Sequence, residues 1–197
     1  MLPALVALAI AFILVALSPA PSSAAGRLAE FLQKAQPSEL IEGANRFGEL
    51  QGDPPVAPVY RGSELAGYVY LNSDFTSSVG YSGKPIHILV GIDATGTIRG
   101  FKLVAHSEPI VLIGIPEAKV VAALNSLVGR DLGRVASGAE RPPQVDIVGG
   151  ATVTVLVMGD SIVRSAVKLI RSGRLNAGWA RARLAEPRHR RRSRPEK

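Results

Sequence analysis

The sequence predicts a single α+β domain in which an antiparallel sheet has helices packed on one side. Two observations carry this prediction. Between residues 68 and 106, short β-rich runs, one of them strictly alternating, are separated by turn and loop residues, which indicates a three-stranded antiparallel meander. After residue 116 the apolar spacing becomes that of amphipathic helices. Strands and helices therefore occupy separate stretches of the chain, as in α+β folds.

The charge of the chain is confined to its C-terminal end. The 197 residues carry 23 Lys and Arg against 16 Asp and Glu, a net charge of +7. Residues 174–197 hold nine basic and two acidic residues, whereas residues 26–173 hold 14 of each. A basic surface typical of nucleic-acid-binding domains is therefore excluded for the body. The count of Cys is 0, which excludes disulfides, Fe–S clusters and Cys-based zinc sites.

Residues 1–25 have the pattern of a secretory signal peptide. An unbroken apolar run at residues 4–17 is followed by a stretch rich in Ser, Pro and Ala. The run is shorter than the roughly 18–20 residues of a membrane span. No Lys or Arg precedes it, so an uncleaved signal anchor is the alternative. In both cases we expect residues 26–173 to form a domain that is periplasmic or otherwise extracytoplasmic.

The first half of the body alternates short helices and strands. Residues 27–35 and 38–41 have helical spacing, and residues 56–60 and 64–71 read as a hairpin. A polar loop at residues 72–84 follows, and long loops of this kind tend to be functional. Strands are predicted at residues 85–93 and 97–106. The first of them places four residues on one face: Ile86, Ile88, Val90 and Ile92.

The second half of the body is mainly helical. Pro116 opens a helix that runs to about Val128, and a polar connector follows at residues 130–143. Residues 153–171 form a long helix that ends before Gly173. The predicted buried positions are Val120, Val121, Leu124 and Leu127 in the first helix and Ile162, Val163, Ala166, Val167 and Ile170 in the second.

Common catalytic signatures are missing from the body. Residues 80–84 (GYSGK) approach a nucleophile elbow, but Lys84 stands where that motif needs Gly. There is no GxxxxGK[ST] loop and no GxGxxG. The body has two histidines, too few for a His-rich metal site, and His87 reads as a partly exposed strand residue. We therefore predict neither catalytic residues nor metal ligands.

Two further motifs each allow two interpretations. His106 and Glu108 flank the end of a strand, where they either face a cleft or close the strand through a local hydrogen bond. In residues 146–152 (DIVGGAT), small residues and a hydroxyl precede a helix, whose N-terminus favours an anionic group such as phosphate. The same residues also fit a Gly-Gly turn in which Thr152 is the N-cap.

Residues 146–152 resemble the flavinylation motif of FMN-binding domains, Asp-x-x-Ser/Thr-Gly-Ala-Thr. Such domains occur in the Na⁺-translocating NADH:quinone reductase, in the Rnf complex and in NosR/NirI-type proteins. Residues 80–93 resemble the family's Gly-Tyr-x-Gly strand, and residues 106–109 its His-x-Glu segment. With the segments GDPPVAPVYRG, GYVYLNSD, EPIVLIGIPE and GDSIVRSAVKLI, the resemblance is specifically to NosR-type extracytoplasmic N-terminal domains and covers residues 40–171.

The resemblance implies a cofactor and a set of site residues. FMN would be held covalently by a phosphoester to Thr152, installed by a flavin transferase. Gly149 replaces the family's Ser or Thr, and Thr154 is the second possible acceptor. Asp146 is expected to be a recognition element for the transferase. The other expected cofactor-binding residues are Gly149, Gly150, Ala151 and Val153 around the attachment point and His106, Glu108, Leu112 and Gly114 as flavin contacts.

The resemblance also implies a function. The domain would be an electron-transfer flavoprotein of NosR type. It would act as a redox carrier or a regulatory protein rather than as a stand-alone enzyme. Its partners would be membrane redox proteins and the nitrous oxide reductase system, with no nucleic acid. A flavin-free sensory or interaction domain in the same pathway is the alternative.

The basic tail resembles nothing in that family. Family members continue into transmembrane helices and a cysteine-rich ferredoxin-like region, which residues 174–197 do not encode. A truncated or frameshifted reading frame would explain this departure. We expect the tail to be disordered; binding to nucleic acid or to an anionic membrane is the alternative.

Overall fold

A five-stranded antiparallel sheet forms the centre of the domain. The computed structural model describes residues 23–175, so the predicted leader and tail lie outside the described residues except at their inner ends. Each strand pairs with the next one along the chain, in the order β1-β2-β3-β4-β5. The predicted meander is confirmed as the last three strands. The strands are β1 (Arg46–Phe47), β2 (Val56–Arg61), β3 (Glu64–Leu71), β4 (His87–Ile92) and β5 (Ile98–Ala105).

The helices are mostly short, and one is long. Residues 72–84, predicted as a loop, begin with a helical turn, and the connector at residues 130–143 contains another, which Asp131 caps by accepting from the Gly133 N–H at 2.9 Å. The helices are α1 (Ser23–Leu32), α2 (Pro37–Leu40), α3 (Asn72–Phe75), α4 (Pro109–Ile113), α5 (Glu117–Leu124), α6 (Leu132–Ala136) and α7 (Thr152–Arg171), with a 3₁₀ turn at Asn125–Leu127.

The main core lies between one face of the sheet and α7. The predicted stripe of β4, Ile86 to Ile92, is buried there with Tyr70 and with Ile162, Ala166 and Ile170 of α7. Val121 and Val167, predicted as buried, are only half-buried. The core continues to Leu175, two residues past the predicted boundary of the body.

The opposite face of the sheet is also covered. Leu28 and Phe31 of α1 pack with Leu40 of α2 against Val69 and Leu89. The helices of the second half therefore lie on one side, as predicted. The N-terminal helices add a layer on the other side, which was not predicted from the sequence.

Paired glycines allow α2 to approach the sheet closely. Gly91 and Gly100 lie opposite each other in β4 and β5. A Cβ at Gly100 would come within 2.8 Å of the Leu40 carbonyl oxygen, and one at Gly91 would overlap the same carbonyl. Side chains at these two positions would push α2 off the sheet.

A fully buried asparagine joins α3 to β4 and α7. The Asn72 amide donates to the Ile86 carbonyl at 3.0 Å and to the Ser161 hydroxyl at 2.7 Å. Its oxygen accepts from the Ile88 N–H at 2.7 Å. These bonds satisfy backbone groups at the start of β4 and fix the loop that follows α3.

Within residues 23–175, no helix combines the length and the apolar character needed to cross a membrane.

Candidate functional site

A cavity of about 470 Å³ lies at the N-terminal end of α7. Three separate parts of the chain line it: the turn and first residues of α7, the loop before β4, and α4. The lining residues are Tyr81, Ile110, Gly150, Ala151, Thr152, Val153 and Thr154. Five of these seven were predicted as site residues from the sequence. None of the seven is charged, so the cavity favours a largely apolar ligand.

The turn before α7 depends on glycine at one position. Gly150 has φ +83°, a left-handed conformation that residues other than Gly rarely adopt. The turn is closed by a bond from the Ala151 N–H to the Val148 carbonyl at 3.0 Å. Gly149, by contrast, has open space around it, because a Cβ there would meet no atom within 4 Å. The fold therefore requires Gly at 150 but leaves position 149 free to carry a side chain.

The N-terminus of α7 has no side-chain cap. Ala151 is the N-cap residue, and no acidic residue stands in the first turn. The first N–H groups of a helix have no partner within it, and together with the helix dipole they stabilise a negative charge. This end of α7 therefore offers backbone donors to an anion beside the cavity.

The two threonines of this turn have different environments. Thr152 is half-buried and donates from Oγ1 to the Val148 carbonyl at 3.1 Å. It lies inside α7 as its first residue, so it is not the N-cap. Thr154 is 2% exposed, and its hydroxyl donates to Oε2 of Glu108 at 3.1 Å. Thr152 is thus the more accessible of the two hydroxyls.

Glu108 is fully buried behind the cavity and accepts four hydrogen bonds. Besides Thr154, the donors are the Tyr81 N–H at 3.0 Å, the Ser82 N–H at 3.3 Å and the Ser82 hydroxyl at 2.8 Å. Burial alone would raise the pKa of Glu108, but the bonds from Ser82, Tyr81 and Thr154 together lower that pKa below its ordinary value. The buried carboxylate is therefore ionised at neutral pH.

Gly80 makes room for this carboxylate. A Cβ at Gly80 would overlap the carboxyl group of Glu108. The next residue, Tyr81, is 78% exposed although it lines the cavity, so its ring stands at the open side. The loop at residues 80–84, whose sequence only approaches a nucleophile elbow, thus contributes Tyr81 to the wall of the cavity.

His106 makes the local hydrogen bond that was one of its two interpretations from the sequence. Its Nδ1 accepts from the Glu108 N–H at 3.2 Å, a local bond that closes the end of β5, and its Nε2 lies 3.6 Å from Oε2 of Glu117. Neither His106 nor Glu108 is among the residues that line the cavity.

The remaining predicted site residues lie around the cavity without lining it. Asp146 is exposed ahead of the turn, and Leu112 and Gly114 are exposed in the α4 segment that also carries Ile110. Several exposed apolar side chains are found in the same segments: Ile113, Ile147, Val153 and Leu156.

His87 lies on the other face of β4, away from the main core. Its Nδ1 lies 2.7 Å from the Ser73 hydroxyl, and its ring centroid is 5.3 Å from that of Phe31. Burial lowers the pKa of His87, Arg27 lowers it further, and Asp74 opposes the shift. Among the described residues, no group of three or more His, Asp or Glu side chains could hold a metal ion.

Sequence reasoning missed Tyr81, Ser82 and Ile110 as members of the site. An exposed aromatic residue in a glycine-rich loop was the available signal for Tyr81. Ile110 gave no signal, because a five-residue helix is too short to show a period.

Comparison with known proteins gives a family and several relatives. Residues 80–167 match the model of the FMN-binding domain family. The regulatory protein NosR of Pseudomonas aeruginosa is 37% identical over 139 residues, which cover 68% of this chain and 19% of that protein. NosR of Stutzerimonas stutzeri is 35% identical over 159 residues, 79% of this chain and 22% of that protein.

A third relative is protein NirI of Paracoccus denitrificans, which is 33% identical over 120 residues, 61% of this chain and 17% of that protein. The chain therefore spans about a fifth of the length of these relatives. No solved structure matches the chain significantly.

Proposed function

Since residues 80–167 belong to the FMN-binding domain family, we propose that this chain is an electron-carrying flavoprotein with FMN attached to Thr152. The observation that carries the proposal is the position of the Thr152 hydroxyl. It lies half-buried in the first turn of an uncapped helix and lines an uncharged cavity. The residues present fit both halves of the cofactor, a phosphate and a large planar ring.

The phosphate end is proposed to sit at the N-terminus of α7. A phosphoester at Thr152 Oγ1 would place the remaining phosphate oxygens next to the free N–H groups of the first turn. Gly149 and Gly150 leave the approach open, since neither carries a side chain. Asp146, exposed just ahead of the turn, is proposed as a contact for the transferase that attaches the flavin.

The attachment step requires a flavin transferase and an activated donor such as a flavin dinucleotide. The bond between Thr152 Oγ1 and the FMN phosphorus forms as the pyrophosphate bond of the donor breaks. The nucleoside monophosphate leaves, and the Thr152 hydroxyl loses its proton. Thr154 is the less suitable acceptor, because its hydroxyl is buried and bonded to the ionised Glu108.

The ring end is proposed to occupy the cavity between Tyr81, Ile110 and Val153. All three side chains are apolar over most of their surface, and Tyr81 offers an aromatic face for stacking. Leu112 and Gly114, in the segment that carries Ile110, would contact the outer edge of the ring. When bound, FMN supplies the redox chemistry, and the protein supplies attachment, orientation and electrostatics.

The wider role is proposed from the named relatives. The chain would act like the corresponding part of NosR, outside the cytoplasm, together with membrane redox proteins and the nitrous oxide reductase system. This proposal includes export directed by residues 1–25, which lie almost entirely outside the described residues.

The test is co-expression of the full chain with a flavin transferase, followed by denaturation and intact mass measurement. We expect a yellow protein whose mass exceeds that of the chain by one FMN minus one water. Thr152→Val should abolish the increment, and the matched control Thr154→Val should retain it. Covalent FMN in Thr152→Val would refute the assignment, and a wild type without the increment would favour the flavin-free interaction domain.

A further inference from the structure

We propose that Glu108 is a positioning residue of the flavin pocket. It holds the loop that carries Tyr81 and Ser82, called the loop wall below, against the start of α7 without touching the ring. The inference rests on the proposed function for its effect on flavin. The role of the Glu108 hydrogen bonds in holding the loop can be tested on the flavin-free protein.

The carboxylate of Glu108 joins two segments that are distant in sequence. Oε1 accepts from the Ser82 N–H at 3.3 Å and from the Ser82 hydroxyl at 2.8 Å. Oε2 accepts from the Tyr81 N–H at 3.0 Å and from the Thr154 hydroxyl at 3.1 Å. Ser82 and Thr154 lie 26 and 46 residues from Glu108 along the chain. One side chain thus fixes the distance between the loop wall and α7.

The same bonds exclude direct contact between Glu108 and a ligand in the cavity. The residue is 0% exposed, and two carboxylate oxygens offer about four acceptor positions. Four donors from the protein occupy them. Tyr81 and Thr154 line the cavity, and Glu108 lies directly behind them.

The set of partners is specific for an ionised carboxylate. The two backbone N–H groups can only donate, and the two hydroxyls donate to Glu108 in this arrangement. Glutamine in place of Glu108 would direct an amide N–H at the N–H of either Tyr81 or Ser82. One backbone donor would then lose its acceptor, and the wall would loosen.

The charge has a second consequence for a flavin bound in front of it. A fixed negative charge behind a pocket wall disfavours the addition of electrons to the ring, because the dielectric there is low. Replacing Glu108 by the neutral amide should therefore raise the midpoint potential of the bound flavin. A purely structural residue on a distant surface would not have this effect.

The test compares wild type, Glu108→Gln and the control Glu117→Gln, which changes an exposed carboxylate beside His106. Hydrogen exchange of the Tyr81 and Ser82 amides is measured on the flavin-free full chain. Flavin yield by intact mass, visible circular dichroism and midpoint potential are measured on the co-expressed protein. Ser82→Ala, which removes one of the four bonds, is the milder variant if Glu108→Gln does not fold.

In Glu108→Gln we expect the two amides to exchange roughly tenfold faster or more, since local opening becomes easier. Covalent yield should stay near that of the wild type, because Thr152 bonds to Val148 and not to Glu108. The visible circular dichroism should weaken and the midpoint potential should rise, with Glu117→Gln unchanged. Ser82→Ala should show the same directions of exchange and dichroism with smaller amplitude.

Unchanged amide protection, or unchanged dichroism and potential, would overturn the inference. A wild type that takes up no FMN would refute the proposed function and the flavin part of the inference together. The exchange measurement would then still decide whether Glu108 holds the wall.

Discussion

The hydroxyl of Thr154 donates a hydrogen bond to Oε2 of Glu108 at 3.1 Å, although 46 residues separate the two along the chain. This bond ties the first turn of α7 to the residue that precedes α4. It also distinguishes Thr154 from Thr152, whose hydroxyl bonds only to the local Val148 carbonyl among the contacts described. The hydroxyls of these two neighbouring threonines therefore have different partners.

Restoring the motif hydroxyl at position 149 should increase flavin attachment. A side chain at Gly149 meets open space, so Gly149→Ser should change the free energy of unfolding by no more than about 0.5 kcal/mol. Covalent FMN per chain, measured by intact mass after limited co-expression, should rise. Gly149→Ala is the control, because it adds the Cβ without the hydroxyl. Equal yields of covalent FMN in Gly149→Ser and Gly149→Ala would show that the transferase does not recognise a hydroxyl at this position.

Gly80→Ala should destabilise the fold through Glu108. The added Cβ overlaps a carboxyl group that four hydrogen bonds hold in place, so either the loop moves or bonds are lost. We expect a loss of about 1–3 kcal/mol in urea unfolding, the usual cost of overpacking. Gly149→Ala, which adds the same methyl group in open space, should cost far less. Equal losses in the two variants would contradict the tight contact.

Asn72→Ala should be strongly destabilising. The substitution leaves the Ile86 carbonyl and the Ile88 N–H without their buried partner, at about 1–3 kcal/mol for each group. Asn45 is the matched control, because its exposed amide oxygen accepts a single bond from the Gly62 N–H at 3.3 Å. Asn45→Ala should cost less than about 1 kcal/mol in the same unfolding experiment. Comparable losses in both variants would refute the role given to Asn72.

His87 should make the protein less stable as the pH falls below neutrality. Burial, with a further contribution from Arg27, lowers the pKa of His87 below its ordinary value of 6.5. The folded protein therefore binds this proton less tightly than the unfolded chain does, so stability is lost as the pH drops through 6.5 toward the folded pKa. Between pH 7.5 and pH 5.5, His87→Gln should lose less stability than wild type; parallel curves would contradict this assignment.

The order of helices and strands could be predicted from the spacing of apolar residues in the sequence. The same spacing predicted which residues of β4 form the buried face of the sheet. Ile86, Ile88 and Val90 alternate, and that face packs on α7 as predicted. The opposite face carries Leu89 and Gly91, which are apolar or small, and α1 and α2 cover it. A two-sided pattern of this kind indicates burial on both faces, but it does not say which helix provides the cover.

The turn that leads into α7 could also be found in the sequence. A glycine with positive φ and a threonine at the start of a helix are local features, set by residues within a few positions of one another. The motif at residues 146–152 therefore identified the turn and three of the cavity residues, and Val153 and Thr154 follow directly after it. The resemblance already favoured Thr152 over Thr154, but the buried bond from Thr154 to Glu108 could not be predicted, since it depends on a carboxylate from a distant segment.

The sequence by itself determined the α+β class, the strands of the meander, the long helix and the glycine turn that leads into it. These depend on local spacing and backbone preference. Only the tertiary structure decided that Glu108 lies behind the cavity and that Tyr81 forms its open wall. Those positions depend on long-range contacts across 27 and 46 residues, whose partners a single sequence does not reveal.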